Sequence, residues 1–552
     1  MSTIFSVNGR EKELQEVSSE KVDLLVIGGG ITGAGIALDA QSRGLNTVLI
    51  EMQDFAAGTS SRSTKLVHGG LRYLKQLEFG IVAETGTERA IVYENAPHVT
   101  KPEWMLLPIV KGGTYGKLAS SIGIWIYDLL AGVKKNERRQ MLNLEQTLEK
   151  EPLLRKEDLK GSGYYVEYRT DDSRLTLEVM KKASEYGAKA FNYVKAEGLI
   201  YDNDKLVGVN AIDLLTNKKF DIYAKKIVNA TGPWVDELRE QDGSKKGKYL
   251  HWTKGVHIVV DQKRFPLGQA VYFDTHDKRM VFAIPRDGKT YIGTTDTDFH
   301  SDLTHPRMTK EDRDYIIAAT NHMFPSVGLT AEDVESSWAG VRPLIHEEGK
   351  SPSEISRKDE IFHSESGLIT IAGGKLTGYR KMAERVVDLV GSELENEEGR
   401  SFKDCHTERM VLSGGDLGGS SGYKAFIEGK IELGIQIGLS KEEASRLANR
   451  YGSNIDQVYD IINKGDHEAK KYHLSSEVYG ALVYGMEYEM VATPVDFFIR
   501  RTGSLLFDIA WVREWKELVL QYMKEKSNWD EQTTEHHMKH LEQEIKYATE
   551  AI

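Results

Sequence analysis

Residues 22–51, VDLLVIGGGITGAGIALDAQSRGLNTVLIE, constrain what this chain can fold into more than any other stretch. Val22 to Ile27 form a short, apolar, largely β-branched run, as a strand covered on both faces of a parallel sheet requires. Gly28, Gly30 and Gly33 then give G-x-G-x-x-G at a strand-to-helix turn. Gly28 serves the sharp turn, Gly30 lets backbone approach a pyrophosphate, and Gly33 allows close packing of helix on strand. The helix N-terminus points its free N–H groups at the phosphates. Val48 to Ile50 form the second strand, and Glu51 closes it. A carboxylate there accepts hydrogen bonds from an adenosine ribose and repels a 2′-phosphate, so FAD or NAD is expected and NADP is not. A lone G-x-G-x-x-G is weak evidence, but flanking strands and an acid at about 20 residues' spacing set it apart from an ordinary βαβ turn.

The segment after Glu51 reads MQDFAAGTSSRSTKLVHGGLRYL. So polar a Gly- and Ser-rich segment is costly to keep ordered without a ligand to fill its hydrogen bonds. Gly58 to Ser63 offer N–H groups and hydroxyls to a pyrophosphate. Lys65, His68, Gly69, Gly70 and Arg72 follow, with glycines where backbone would pass close under a flat ring. The bland alternative is a solvated loop with a helix cap.

GGGITGAG with Glu51, followed by GTSSRSTKLVHGGLRYL, resembles the FAD-dependent glycerol-3-phosphate dehydrogenases, within the broader D-amino-acid-oxidase-like flavoprotein superfamily. The superfamily shares only the first motif; K-L-V-H-G-G-L-R-Y-L is much narrower. The resemblance runs from Val22 to about Asp508 and weakens over residues 111–160 and at both ends. It implies a Rossmann-like α/β FAD-binding domain of glutathione-reductase type, an antiparallel-sheet substrate domain and a C-terminal all-α domain. The implied boundaries are an N-terminal tail at 1–20, FAD-binding segments at 21–80, 162–240 and 345–397, substrate segments at 81–161 and 241–344, and helices from 398 to 552. Non-covalent FAD would be held by Gly28, Gly30, Thr32, Gly33, Glu51, Met52, Thr59, Ser60, Ser61, Lys65, Leu66, His68, Gly69 and Gly70. Val194, Ala230, Gly232, Trp234, Gly374, Lys375, Leu376 and Thr377 would complete the cofactor site.

The rest of the chain is read to agree. Ala190 to Val194 is expected as a strand, with Val194 backbone against the adenine by resemblance. In KKIVNATGPWVDEL a strand runs into Ala230, Thr231 and Gly232, a small-residue turn, and Pro233 opens a helix where its missing N–H costs nothing. His251 to Val260 and Val281 to Phe299 alternate like antiparallel strands. Glu335 to Leu344 reads as a strand ending with Arg342 and Pro343. Leu368 to Ile371, Gly373, Gly374 and a helix from Thr377 repeat the strand, glycine turn and helix of the first motif. By resemblance this second unit carries the flavin's pyrimidine end. Asp171, Asp172 and Arg174 are read as turn and cap residues, Ser440 with Glu443 as a capping box, and Thr493-Pro494 as a helix start. His536, His537 and His540 are read as a surface helix, and no metal is expected.

A dianionic phosphate substrate needs several cations around one pocket, preferably arginines for forked contacts. Arg72, Arg342, Arg357 and Lys375 are the candidates. A histidine inside an alternating strand is more often structural, but K-G-x-H-I-V-V resembles the family and makes His257 the candidate base. Arg342 is its rival as stabiliser of a developing alkoxide, and the choice between them is open at this level. The resemblance implies oxidation of sn-glycerol 3-phosphate to dihydroxyacetone phosphate, with electrons passing to a membrane quinone. An oxygen-using oxidase of the same substrate is the alternative, although the inserted segment of such oxidases is not seen here. A flavin-containing scaffold without turnover is the third reading.

A net charge of −12 and a pI near 5.8 argue against nucleic-acid binding, since a phosphate-tracking surface needs a basic excess. Cys405 is the only cysteine, so no internal disulfide can form and a reducing compartment is expected. The first 20 residues read as a polar, loose or partly helical tail with no signal peptide. No run reaches the roughly 18 to 20 apolar residues of a membrane span. The nearest, SSIGIWIYDLLAGVKK from Ser120 to Lys135, reads as a buried or interfacial helix. The calcium-binding loop of the mitochondrial relatives does not occur. Cytoplasmic placement with peripheral contact to the inner face of the cell membrane is expected, and a homodimer is left open.

Overall fold

The computed structural model describes residues 5–68, 79–113, 138–348 and 358–552. The chain builds two sheets with a helical layer behind them. In the first sheet the strands run in the order Glu360–His363, Leu368–Ala372, Lys218–Asn229, Val22–Ile27, Thr47–Ile50, Lys189–Phe191. Its core is parallel, with Leu25 opposite both Ile227 and Val48. Val22–Ile27 is buried at every position, as a strand inside a parallel sheet with no wet side to alternate toward. Helix Ile31–Arg43 packs between helices Tyr379–Glu398 and Asp172–Glu185.

The expected strand Ala190 to Val194 is two strands. Lys189–Phe191 ends the parallel sheet, and Val194–Asp202 starts a hairpin with Lys205–Asp213. The break falls at Tyr193, whose φ of 56° turns the chain, while Asn192 is held by Asp54 Oδ1 at 2.9 Å and Met490 O at 3.0 Å.

The second sheet has ten strands among the described residues. Val334–Glu347 and Lys289–Gly293 flank Lys248–Asp261; beyond Lys289–Gly293 come Met280–Arg286, Ala270–Asp274, Thr100–Val110 and Leu159–Thr170. It is mixed rather than wholly antiparallel as expected, because Ala270–Asp274 pairs parallel with Thr100–Val110. The chain enters this sheet in two separate passes. Their join is not a hairpin, so nothing local dictates opposite directions there. Leu66–Val67 and Leu159–Thr170 also pair within this sheet, so the chain returns to the first sheet after Thr170 and not from residue 162.

The C-terminal part is helical from Gly419–Gln436 to Glu531–Thr549. The capping box forms as read: Glu443 N donates to Ser440 Oγ at 3.2 Å, and Ser440 N to Glu443 Oε2 at 2.8 Å. After Thr493 the chain enters a π-helical turn, Asp496–Arg501, whose two arginines end fully inside the protein. Two expectations are corrected here. The N-terminal segment is anchored, with helix Arg10–Ser19 delivering Arg10 to a buried pair with Asp213 at 2.8 Å. His537 is buried against Trp529, ring centroids 4.2 Å apart, so that helix is not simply a surface one. Residues 120–135 lie outside the described residues. Among the described residues no helix is long and apolar enough to cross a membrane.

Candidate active site

The C-terminal ends of three parallel strands, Val22–Ile27, Thr47–Ile50 and Lys218–Asn229, deliver Gly28, Glu51 and Ala230 to one wall of a cavity of about 880 Å³. That volume is at the upper end of the roughly 300–1,000 Å³ of cofactor and ligand sites. The two glycine motifs explain each other. Gly28 has φ 115°, and a Cβ on it would stand 2.5 Å from Ala230 O, so the ATG turn can pass only over a residue without a side chain. A Cβ on Gly33 would lie 1.9 Å from Gly28 O, which is the close helix-on-strand approach its position demands. Gly33 shapes the turn and does not line the cavity.

Replacing Gly33 with Ala should therefore displace the turn at a strain of about 1–3 kcal/mol. FAD affinity of the apoprotein, read by quenching of flavin fluorescence, is expected to weaken about 10- to 100-fold. An affinity within about threefold of wild type would show that the turn does not shape the site.

Glu51 lies half-buried beneath this turn and lines the cavity. Its Oε2 accepts from Gly29 N and its Oε1 from Gln53 N, each at 2.7 Å, which leaves lone pairs for a ribose diol. Burial pushes this carboxyl above its usual range, and the two N–H donors work against that shift. Ile31 N donates to Ser60 Oγ at 2.9 Å, tying the polar segment to the helix N-terminus that faces the cavity. Thr32, Met52, Thr59, Val194, Gly232 and Trp234 line the same cavity, with Gly30 and Ser60 between them. Leu66, His68, Gly374, Lys375, Leu376 and Thr377 line it as well. Thr377 Oγ1 closes the seam between the two units, accepting from His68 N and donating to His68 O, both at 3.2 Å. Burial, with Lys375 and Arg89 nearby, pulls the His68 imidazole down to about 3.

Two predicted cofactor residues point elsewhere. Lys65 Nζ donates to Asp172 Oδ1 at 2.6 Å and to Ser61 O at 2.9 Å, and neither Lys65 nor Ser61 lines the cavity. The partner of the Lys65 ammonium sits on helix Asp172–Glu185. Asp171 caps that helix, accepting from Arg174 N at 3.0 Å, in keeping with its reading. Gly69, Gly70, Arg72 and Arg357 lie outside the described residues.

The opposite wall is one cross-strand row of the second sheet. Tyr272 pairs with Phe282, Phe282 with Gly293, Gly293 with His257, and His257 with Trp338. Residues paired in this way share a face. His257 stacks on Trp338 at 4.7 Å and 10°, and Tyr272 on Phe282 at 4.0 Å and 14°. Gly293 is the gap between the two stacks, since a Cβ there would lie 2.2 Å from His257 Cδ2. His257 Nε2 meets Thr64 Oγ1 at 3.1 Å, whereas Nδ1 is buried without a hydrogen-bond partner among the described residues. Burial, then Arg342 and Lys65, hold its pKa well below 6.5, so the ring is neutral at pH 7.

Arg342 does not end its strand, which continues to Glu347. Its guanidinium donates to Asp296 Oδ1 at 3.0 Å, Thr294 Oγ1 at 3.1 Å and Thr295 O at 3.3 Å. Gly255 makes the room, as a Cβ there would come within 2.5 Å of Arg342 Nη2. Thr64, Tyr272, Phe282, Lys278 and Arg279 also line the cavity and were missed. Strand register brings Tyr272 and Phe282 there, whereas Lys278 and Arg279 arrive on the turn between their two strands and Thr64 on the loop before Leu66–Val67.

The fold and the cavity define a flavin-type oxidoreductase, and the comparisons agree. The chain belongs to the FAD-dependent oxidoreductases, whose family model matches residues 23–380; a second, described as the C-terminal domain of alpha-glycerophosphate oxidase, matches residues 405–534. It is 61% identical over 541 residues, 98% of each chain, to the aerobic glycerol-3-phosphate dehydrogenase of Bacillus subtilis (strain 168). It is 56% identical over 541 residues, 98% of this chain and 97% of the relative, to the Staphylococcus aureus (strain MRSA252) protein of the same name. The structure superposes on the Bacillus halodurans glycerol-3-phosphate dehydrogenase complexed with FAD, with a TM-score of 0.87, 56% identity and 99% of both chains covered. The L-α-glycerophosphate oxidase of Mycoplasma pneumoniae shares the fold alone, at a TM-score of 0.56 and 18% identity over 70% of this chain and 96% of that one. The cofactor of this enzyme is FAD, and the glycine turns, the half-buried Glu51 and the helix N-terminus fit its ribose and pyrophosphate.

Proposed function

We propose that this enzyme oxidises sn-glycerol 3-phosphate to dihydroxyacetone phosphate by hydride transfer to FAD and passes the electrons to a membrane quinone. The observation that carries the reading is the pairing of a buried, neutral His257 with the Arg342 guanidinium on one cavity wall. The relatives named dehydrogenase support the substrate and favour a dehydrogenase over an oxidase. Bound FAD supplies the hydride acceptor, which is the difficult part of alcohol oxidation. The protein binds, orients and moves the proton. His257, uncharged at neutral pH, takes the proton of the substrate's C2 hydroxyl. Arg342, held in one orientation by Asp296 and Thr294, stabilises the alkoxide that develops. Lys375, with Arg72 and Arg357, is proposed for the phosphate. The N-terminus of helix Tyr379–Glu398 follows the turn Leu376–Gly378 and brings its positive end toward the cavity.

Arg342→Ala is expected to lose about 2–4 kcal/mol of transition-state stabilisation, a fall of about 30- to 1,000-fold in kcat/KM. A change within about threefold would remove Arg342 from the site. The whole reading is tested by anaerobic titration with glycerol 3-phosphate, followed by a soluble quinone or oxygen. Bleaching of the flavin band near ~450 nm, with fast recovery only on quinone, supports it. Fast recovery on oxygen makes the enzyme an oxidase, and no bleaching removes the substrate. Delivery to a membrane quinone also requires peripheral contact with the inner face of the cell membrane, which co-sedimentation with quinone-containing vesicles checks.

A further inference from the structure

We infer that Thr64 relays the substrate's hydroxyl proton to His257. The inference rests on the reading of His257 as the proton acceptor and adds the path by which the proton reaches it. His257 is only 2% exposed, and its Nδ1 is buried with no hydrogen-bond partner among the described residues. Among the described residues its Nε2 meets the Thr64 hydroxyl at 3.1 Å, and Thr64 itself lines the cavity. A hydroxyl both donates and accepts, so Thr64 can stand between a substrate O–H and the ring. For Thr64 to donate to Nε2, the ring hydrogen must sit on Nδ1, the nitrogen that faces no other base.

A relay works only if its oxygen is held in place, and the backbone around Thr64 is pinned from several directions. Trp338 Nε1 donates to Ser63 O at 3.0 Å, Tyr291 OH to Thr64 O at 3.2 Å, and Thr170 N to Lys65 O at 2.9 Å. Asp172 draws in both neighbours, accepting from Ser63 Oγ at 2.7 Å and Lys65 Nζ at 2.6 Å. Lys65 thus acts through Asp172 on the residue beside it. In the step, the substrate O–H bond breaks as its proton passes to Thr64 Oγ. The Thr64 O–H bond breaks as its own proton passes to His257 Nε2. The two electrons leave the substrate carbon with the hydride to the bound cofactor, and the alcohol becomes a ketone.

The test compares Thr64→Val, Thr64→Ser and His257→Gln, each as FAD-loaded enzyme with glycerol 3-phosphate and a soluble quinone. Thr64→Val keeps the shape and loses the hydroxyl. It should lower kcat by roughly 100-fold at little change in KM, and Thr64→Ser should restore kcat to within about threefold of wild type. The solvent deuterium isotope effect on flavin reduction should change in Thr64→Val and return in Thr64→Ser. If Thr64→Val keeps wild-type kcat while His257→Gln loses it, the relay is wrong and His257 acts directly. If His257→Gln keeps wild-type kcat, the reading of His257 itself fails. Loss of FAD from Thr64→Val, with His257→Gln fully loaded, would assign the hydroxyl to the cofactor and overturn the relay.

Discussion

His257→Gln should reduce kcat by about 10²- to 10⁴-fold, the range contributed by a positioned acid or base. Gln occupies similar space on Trp338 but cannot accept and hold a proton, so the loss falls on kcat more than on KM. The pH profile carries a second expectation. A base must be deprotonated to act, and burial beside Arg342 and Lys65 places the His257 pKa well below 6.5. The wild-type enzyme should therefore keep its kcat/KM as pH falls through 6.5 and lose it only further into acid. An acid limb centred near 6.5 would mean that the titrating group is an ordinary solvated imidazole and not this one.

Asp54→Asn should be the most destabilising single change in the described structure, at about 3–5 kcal/mol. Asp54 is fully buried, and its carboxylate meets Arg501 in a fork, with Nη1 at 2.6 Å and Nη2 at 2.9 Å. Arg500 Nε and Asn192 Nδ2 also donate to it. Burial opposes the charge of Asp54, but Arg501 and Arg500 hold its pKa down at about 2. The substitution would leave the buried Arg501 guanidinium without its paired carboxylate and Arg500 with Asp496 alone, at 3.0 Å. The stability that Asp54 contributes is present above its unfolded value of 3.8 and is lost as pH falls toward about 2. Because Asp54 follows Glu51 so closely in the chain, the same contact ties the C-terminal helices to the loop carrying the ribose-binding acid. FAD release is therefore expected to accompany the loss of stability. Urea denaturation of the FAD-loaded protein measures the effect, with Lys470→Ala as control, since that exposed pair with Asp466 should contribute under about 0.5 kcal/mol. An Asp54→Asn loss no larger than the control's would show that the clasp is not what holds the two parts together.

The dinucleotide site was legible because its constraints are local. Gly28, Gly30 and Gly33 act within one turn, Glu51 ends the neighbouring strand, and the ATG and Gly373-Gly374 turns each announce a strand passing into a helix. Asp171 and Ser440 were readable as caps for the same reason, since a cap and its acceptor lie within one helical turn. Nothing near Lys65 in the chain discloses that its ammonium meets a buried carboxylate on another helix. The sheet was expected to be wholly antiparallel because alternation records which face is buried and not which way a neighbour runs.

The residues alone called for a glycine-turn dinucleotide site closed by an acid, and the family resemblance added FAD, a second sheet and a helical C-terminal part. Tertiary structure alone decided that Tyr272, Phe282, His257 and Trp338 share one row, that Gly293 opens a gap in it, and that Thr64 is the hydroxyl on the imidazole. It also decided that Asp54 rather than solvent meets Arg500 and Arg501. The physical reason is the same in each case. Strand register and buried charge pairing join residues far apart in the chain, and they are settled by packing and by the cost of leaving a buried charge or polar atom unpaired.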